Sequence, residues 1–92
     1  MYDIAVQSSA KKDIKRLDIS VRNKVKEEIL DILRENPESG EELLGALTGI
    51  RSYHFEHNKV QYRIAYTIEE NTIYILMIAK RENFYDILKR KL

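Results

Sequence analysis

The stretch Ile50–Tyr85, IRSYHFEHNKVQYRIAYTIEENTIYILMIAKRENFY, decides the fold. Successive side chains of a strand leave opposite faces of a sheet, so a period of two marks a strand with one buried face. From Ile50 to His57 that period sets Tyr53 and Phe55 on one face and Ser52, His54 and Glu56 on the other. From Val60 to Glu69 the apolar set is Val60, Tyr62, Ile64, Tyr66 and Ile68, with Gln61, Arg63, Ala65 and Thr67 opposed. Glu56–Lys59 reads as the hairpin turn between them, with Asn58 able to take positive φ. His54, Glu56 and Arg63 are therefore expected together on a polar face, over a sheet whose other face makes the core. A third strand is apolar from Ile73 to Ala79, follows a turn at Glu69–Thr72, and ends in Lys80-Arg81. Asn83 reads as the cap of a last helix, with Asp86 in a partial capping box and Phe84 and Leu88 as anchors.

Outward from this core, Tyr2–Val6 is rich in strand formers and is expected to be a first strand. Ser8 or Ser9 is placed to cap a helix whose Ala10, Ile14 and Leu17 share a face. A second helix starts near Asp18–Ser20 and carries Val21, Val25, Ile29, Ile32 and Leu33 at helical spacing. Asn36-Pro37 stops it, because proline lacks the N–H a helix needs and clashes with the preceding turn. Residues 37–49, PESGEELLGALTG, hold all three glycines and the one proline. They read as a wrapped connection anchored by Leu43, Leu44 and Leu47, not as a linker. The order β-α-α-β-β-β-α predicts an α+β fold with a mainly antiparallel sheet and an N-terminal α-hairpin packed on one face. One domain over residues 1–92 is expected.

Composition narrows the function classes. Apolar residues make up 43% and charged residues 34%, proportions ordinary for a globular chain. No cysteine is present, so disulfide and thiolate chemistry are excluded, in keeping with a reducing compartment. No signal peptide is visible after Met1, and the longest apolar run is too short to cross a bilayer, so a cytoplasmic protein with no membrane partner is expected. Net charge is +1, but its distribution is uneven. Up to Gly49 there are eight Lys/Arg against ten Asp/Glu; from Ile50 onward, eight against five. The excess of +3 lies in the half that carries the sheet, where both histidines also lie. Phosphate binding follows such local patches, not totals.

Several chemistries lack their residues. His54 and His57 point to opposite faces and no further ligand motif accompanies them, so no metal or other cofactor is expected. No GxSxG marks a serine nucleophile. Only Glu56 lies on the polar face, where a glycosidase needs two acids. GALTG lacks the spacing and the following Lys-Ser/Thr of a phosphate loop. Metal-free RNA cleavage fits better: it needs a base for the 2′-hydroxyl, cations for charge building on phosphate, and an acid for the departing 5′-oxygen. His54 or Glu56 suits the base, Arg63 and Arg81 the clamp, and Tyr85, His54 or Lys80 the acid. Arginine suits the clamp because its planar fork makes paired bonds to phosphate oxygens. Taken singly, each has an ordinary structural use: a surface histidine, a cross-strand partner, a packed tyrosine ring.

Taken together they resemble a known family. Leu44-Gly45-Ala46-Leu47-Thr48-Gly49, Tyr62-Arg63-Ile64-Ala65-Tyr66 and Lys80-Arg81-Glu82-Asn83-Phe84-Tyr85, in this order, resemble the RelE/ParE superfamily of type II toxins across essentially the whole chain. The resemblance implies a RelE-like fold and, for the RelE branch, a ribosome-dependent endoribonuclease that cuts mRNA in the A site. By it, Arg63 is the strand arginine that contacts phosphate, Lys80-Arg81 the basic pair, and Tyr85 the tyrosine beyond. His54 and Glu56 stand where RelE-like members often carry lysines, which leaves the base open between them. Arg51, Lys59 and Lys80 are the remaining cations offered to RNA. The resemblance also implies a cognate antitoxin whose acidic amphipathic tail folds over the toxin, with operator DNA reached only through that antitoxin. The alternatives are a ParE-like DNA gyrase inhibitor that cuts nothing, and an inactive remnant that only binds antitoxin.

Overall fold

In the computed structural model, which describes residues 1–92, β1 (Asp3–Val6), β2 (Glu41–Glu42), β3 (Arg51–His57), β4 (Val60–Glu69) and β5 (Thr72–Lys80) form one sheet. Their spatial order is β1-β5-β4-β3-β2. The meander β3-β4-β5 is antiparallel throughout, as the order of elements predicts. Its first turn is the expected one: Asn58 and Lys59, between the paired His57 and Val60, have φ of 50° and 66°. Both central residues at positive φ make the tight turn whose twist matches the flanking strands. β1 lies parallel to β5 at one edge, with Ile4 opposite Ile73. The two-residue β2, too short for any period to reveal, pairs antiparallel with β3 at the other.

The helical hairpin supplies the crossover that ultimately carries the chain away from β1. It comprises α1 (Ser8–Arg16) and a longer rod made of α2 (Ile19–Lys24), a π turn (Val25–Ile29) and α3 (Leu30–Glu35). Val21, Val25, Ile29 and Leu33 are all buried at a strict spacing of four. On an α-helix that spacing drifts about 40° per step, and the wider π turn takes up the drift. These residues, with Ala10 and Ile14, pack on Phe55, Tyr62, Ile64, Tyr66, Ile73, Ile75 and Ile78 of the sheet.

The opposite face is not simply polar. Ala65, Met77 and Ala79 there are covered by Leu43, Leu47, Ile50 and, from α4 (Phe84–Lys91), Phe84 and Leu88. Leu44, expected as an anchor, is instead 85% exposed, because Gly45 at φ 65° turns the chain so that Leu43 and Leu47 face inward. A register shift lets β5 serve both cores. Tyr66 pairs with Ile75 but Ala65 with Met77, leaving Leu76 as an extra residue. Ile73 and Ile75 face the helical hairpin before this bulge, and Ile78 faces it afterwards despite its opposite parity.

Both expected side-chain caps are absent. α1 is preceded by Gln7 and α4 by Asn83, and neither makes a capping bond. A 3₁₀ turn at Arg81–Asn83 leads into α4, and Phe84 N–H is bonded to the Arg81 carbonyl. Ser9 has a different use. β1 ends opposite Ile75, so β5 beyond it lacks a neighbour on that side. Ser9 Oγ donates to the Leu76 carbonyl (3.2 Å), and Asp13 Oδ2, one helical turn on, accepts from Ile78 N–H (3.2 Å). Asp13 Oδ2 also accepts from Lys91 Nζ of α4 at 3.0 Å. Two side chains of α1 thus stand in for a missing strand beside the segment that delivers Lys80-Arg81.

Candidate functional site

β3, β4 and β5 bring the candidate cations to one end of the sheet face opposite the helical hairpin. His54 is directly opposite Arg63, Glu56 opposite Gln61, and Arg63 opposite Ala79. His54, Gln61, Tyr62, Arg63 and Arg81 line a cleft of ≈ 330 Å³. A second, more open cleft of ≈ 560 Å³ adjoins it through the shared Gln61 and Arg81, and adds Lys59, Lys80 and one acid, Glu82. Alternation accounts for His54 and Arg63. Arg81 arrives because β5 ends there and the 3₁₀ turn begins.

Arg63 is the most constrained of these side chains. Its guanidinium lies 5.9 Å from the Phe84 ring centroid and 5.7 Å from that of Tyr85. The two rings meet edge to face at 5.1 Å. Each cation–ring contact contributes about 0.5–2 kcal/mol, more where water is excluded. Nη1 donates to Ser52 Oγ at 3.3 Å. Nε is enclosed without an acceptor. An enclosed unpaired donor costs about 1–3 kcal/mol.

The other expected residues divide. Tyr85, 41% exposed, covers Arg63 with its ring and makes no hydrogen bond through its hydroxyl to another residue. Glu56 accepts a hydrogen bond from Gln61 Nε2 and lies outside the cleft lining. Lys59 and Lys80 border the wider cleft. Arg51 is not brought to this face. Its Nη1 donates to the Gly40 carbonyl at 2.8 Å, and Nη2 lies 3.8 Å from Glu42. The cause is parity: Arg51 alternates with Tyr53 and Phe55, and it pairs with the core residue Tyr66. That signal was available in the sequence, and it removes Arg51 from the candidate RNA contacts.

Three contributors escaped the sequence reading. Gln61 lines both clefts, Phe84 packs against Arg63, and Ser52, fully buried, holds Nη1. Ser52 shares the parity of His54, which would have put it on the right face; nothing local indicated that Arg63 lies over it. Chemically, two guanidinium groups and an imidazole around one open cleft suit a phosphodiester, with the imidazole able to exchange a proton.

Solved structures share this architecture. The toxin–antitoxin complex RelBE2 from Mycobacterium tuberculosis contains a chain 25% identical, with TM-score 0.78 over 87% of this chain and 98% of that one. The isolated RelE toxin of E. coli is 21% identical, with TM-score 0.66 over 100% of both chains. YafQ of E. coli is 16% identical, with TM-score 0.65 over 92% of this chain and 99% of that one. The last two likenesses are of fold alone. No curated protein matches the chain in sequence. The family model for a ParE-like toxin of type II bacterial toxin-antitoxin systems matches residues 4–89, nearly the full length. The chain therefore belongs to the ParE-like toxin family of type II bacterial toxin–antitoxin systems, within the RelE/ParE superfamily and with a RelE-like fold.

Proposed function

We propose that this toxin is a metal-independent endoribonuclease that cuts mRNA on the ribosome and so stops translation in the cytoplasm. The observation that carries the proposal is the shared cleft of His54, Arg63 and Arg81. In the reaction, the ribose 2′-oxygen forms a bond to the adjacent phosphorus as the bond from phosphorus to the 5′-oxygen breaks. The 2′-hydroxyl proton leaves to a base and the 5′-oxygen gains one, giving a cyclic phosphate and a free 5′-hydroxyl. His54 is favoured over Glu56 as the base because it lines the cleft, whereas Glu56 is engaged by Gln61. Arg63 and Arg81 hold the phosphate, whose growing negative charge they stabilise more in the transition state than before it. Lys80 and Lys59, along the wider cleft, guide the RNA backbone.

The partner is a cognate antitoxin with an acidic amphipathic tail that covers the cationic clefts, and operator DNA is contacted through the antitoxin. The test is controlled expression of the wild type and Arg63→Ala with mRNA ends mapped. Codon-phased cuts are expected, reduced roughly tenfold or more by the substitution, the scale of losing one charge-stabilising donor. A second reading, inhibition of DNA gyrase, is favoured by the ParE-like description of the family. DNA damage with intact transcripts would establish it in place of the first.

A further inference from the structure

We infer that Ser52 is the positioning residue of the cleft, fixing which edge of Arg63 meets the phosphate. The inference rests on the nuclease reading for its catalytic consequence, but not for its geometry. Apart from the core tyrosines, Ser52 is the only polar residue of the chain with a buried side chain. It sits on β3 between Glu41 of β2 and Ala65 of β4, and diagonally across from Arg63. Alanines lie beside this diagonal, Ala65 opposite Ser52 and Ala79 opposite Arg63. Such small neighbours do not block the Arg63 guanidinium from reaching back to Ser52 Oγ.

Three guanidinium nitrogens then have three different states. Nη1 is engaged by Ser52 Oγ at 3.3 Å, Nε is enclosed without a partner, and Nη2 is neither bonded nor enclosed. A guanidinium is rigid and planar, so fixing Nη1 fixes the direction of Nη2. The phosphate is met through the Nη2 side, with Phe84 and Tyr85 holding the plane of the group from the α4 side. Without the serine hydroxyl the same charge remains in the cleft, but its orientation is lost. Ser52 thus touches neither substrate nor reacting atoms and acts through Arg63.

The experiment compares Ser52→Ala and Ser52→Thr, alone and with Arg63→Ala, in the full chain. Nitrogen NMR of the Arg63 guanidinium, without RNA, reads rotation about its Cζ–N bonds. Slow rotation is expected in the wild type and in Ser52→Thr, and fast rotation in Ser52→Ala. On ribosome-bound mRNA, Ser52→Ala is expected to lower kcat about tenfold with KM nearly unchanged, the scale of a misaligned catalytic group. Ser52→Thr, which keeps the hydroxyl, restores most of it. In the Arg63→Ala background Ser52→Ala should cost nothing further, because its effect passes through the missing group. Equal losses in both backgrounds, or unchanged guanidinium rotation in a folded Ser52→Ala, overturn the inference. If the wild type cuts no RNA, the nuclease reading fails while the rotation measurement still decides the role of Ser52.

Discussion

Replacing Tyr66 by phenylalanine should unfasten the wrap that carries β2 and borders the functional face. The Tyr66 hydroxyl, with the side chain fully buried, donates to the Pro37 carbonyl at 2.6 Å and accepts from Gly40 N–H at 3.1 Å. The substitution leaves one acceptor and one donor unpaired. At about 1–3 kcal/mol for each buried orphan, moderated by relaxation, the expected loss is roughly 2–4 kcal/mol. That is a large share of the ~5–15 kcal/mol typical of a domain, and lowers Tm by roughly 10–25 °C. A second signature lies in pH. Burial raises the Tyr66 hydroxyl above the ordinary tyrosine value, against the lowering effects of the Gly40 bond and the Arg51 charge. The folded state therefore keeps its proton where the unfolded chain has lost it. The contribution of the neutral hydroxyl is fully present below pH ~10 and is lost as pH rises through the higher folded value. Urea denaturation of wild type and Tyr66→Phe at pH 7 and on the alkaline side measures both effects. The stability gap should narrow at high pH. A gap below about 0.5 kcal/mol at pH 7, or one that does not narrow, refutes the reasoning.

Two further outcomes are expected. The Tyr85 ring lies against Arg63 while its hydroxyl bonds no other residue, so Tyr85→Phe should change RNA cleavage less than about twofold, whereas Tyr85→Ala, which uncovers Arg63, should lower it about tenfold; initial rates on programmed ribosomes check both. Asp13→Ala should destabilise by about 2 kcal/mol, since it strands Ile78 N–H as well as Lys91. Lys91→Met, which removes only the partly exposed ion pair, should cost less than about 1 kcal/mol, and denaturant midpoints compare the two.

The strands β3 and β4, their tight turn, the face shared by His54 and Arg63, and the buried stripe of the helical hairpin were legible in the sequence. Each follows from interactions between residues near in the chain: the period of two, the period near four, and a residue that tolerates positive φ. The place of Arg51 obeyed the same rule of alternation. Other features lie outside any local rule. The bulge at Leu76 exists because one strand must feed two cores, and β1 pairs with β5 only once the hairpin has carried the chain across. Ser9, expected as a helix cap, joins Asp13 in satisfying a strand edge exposed by the end of β1. The setting of Arg63 under two rings and over a buried hydroxyl is of this kind too, since Ser52, Arg63 and Phe84-Tyr85 come from three elements. Within β3 and β4 sequence determined which residues share a face, because covalent geometry enforces alternation. Tertiary structure decided which of them touch, because contacts across strands and helices depend on register, and register is settled by packing the whole chain at once.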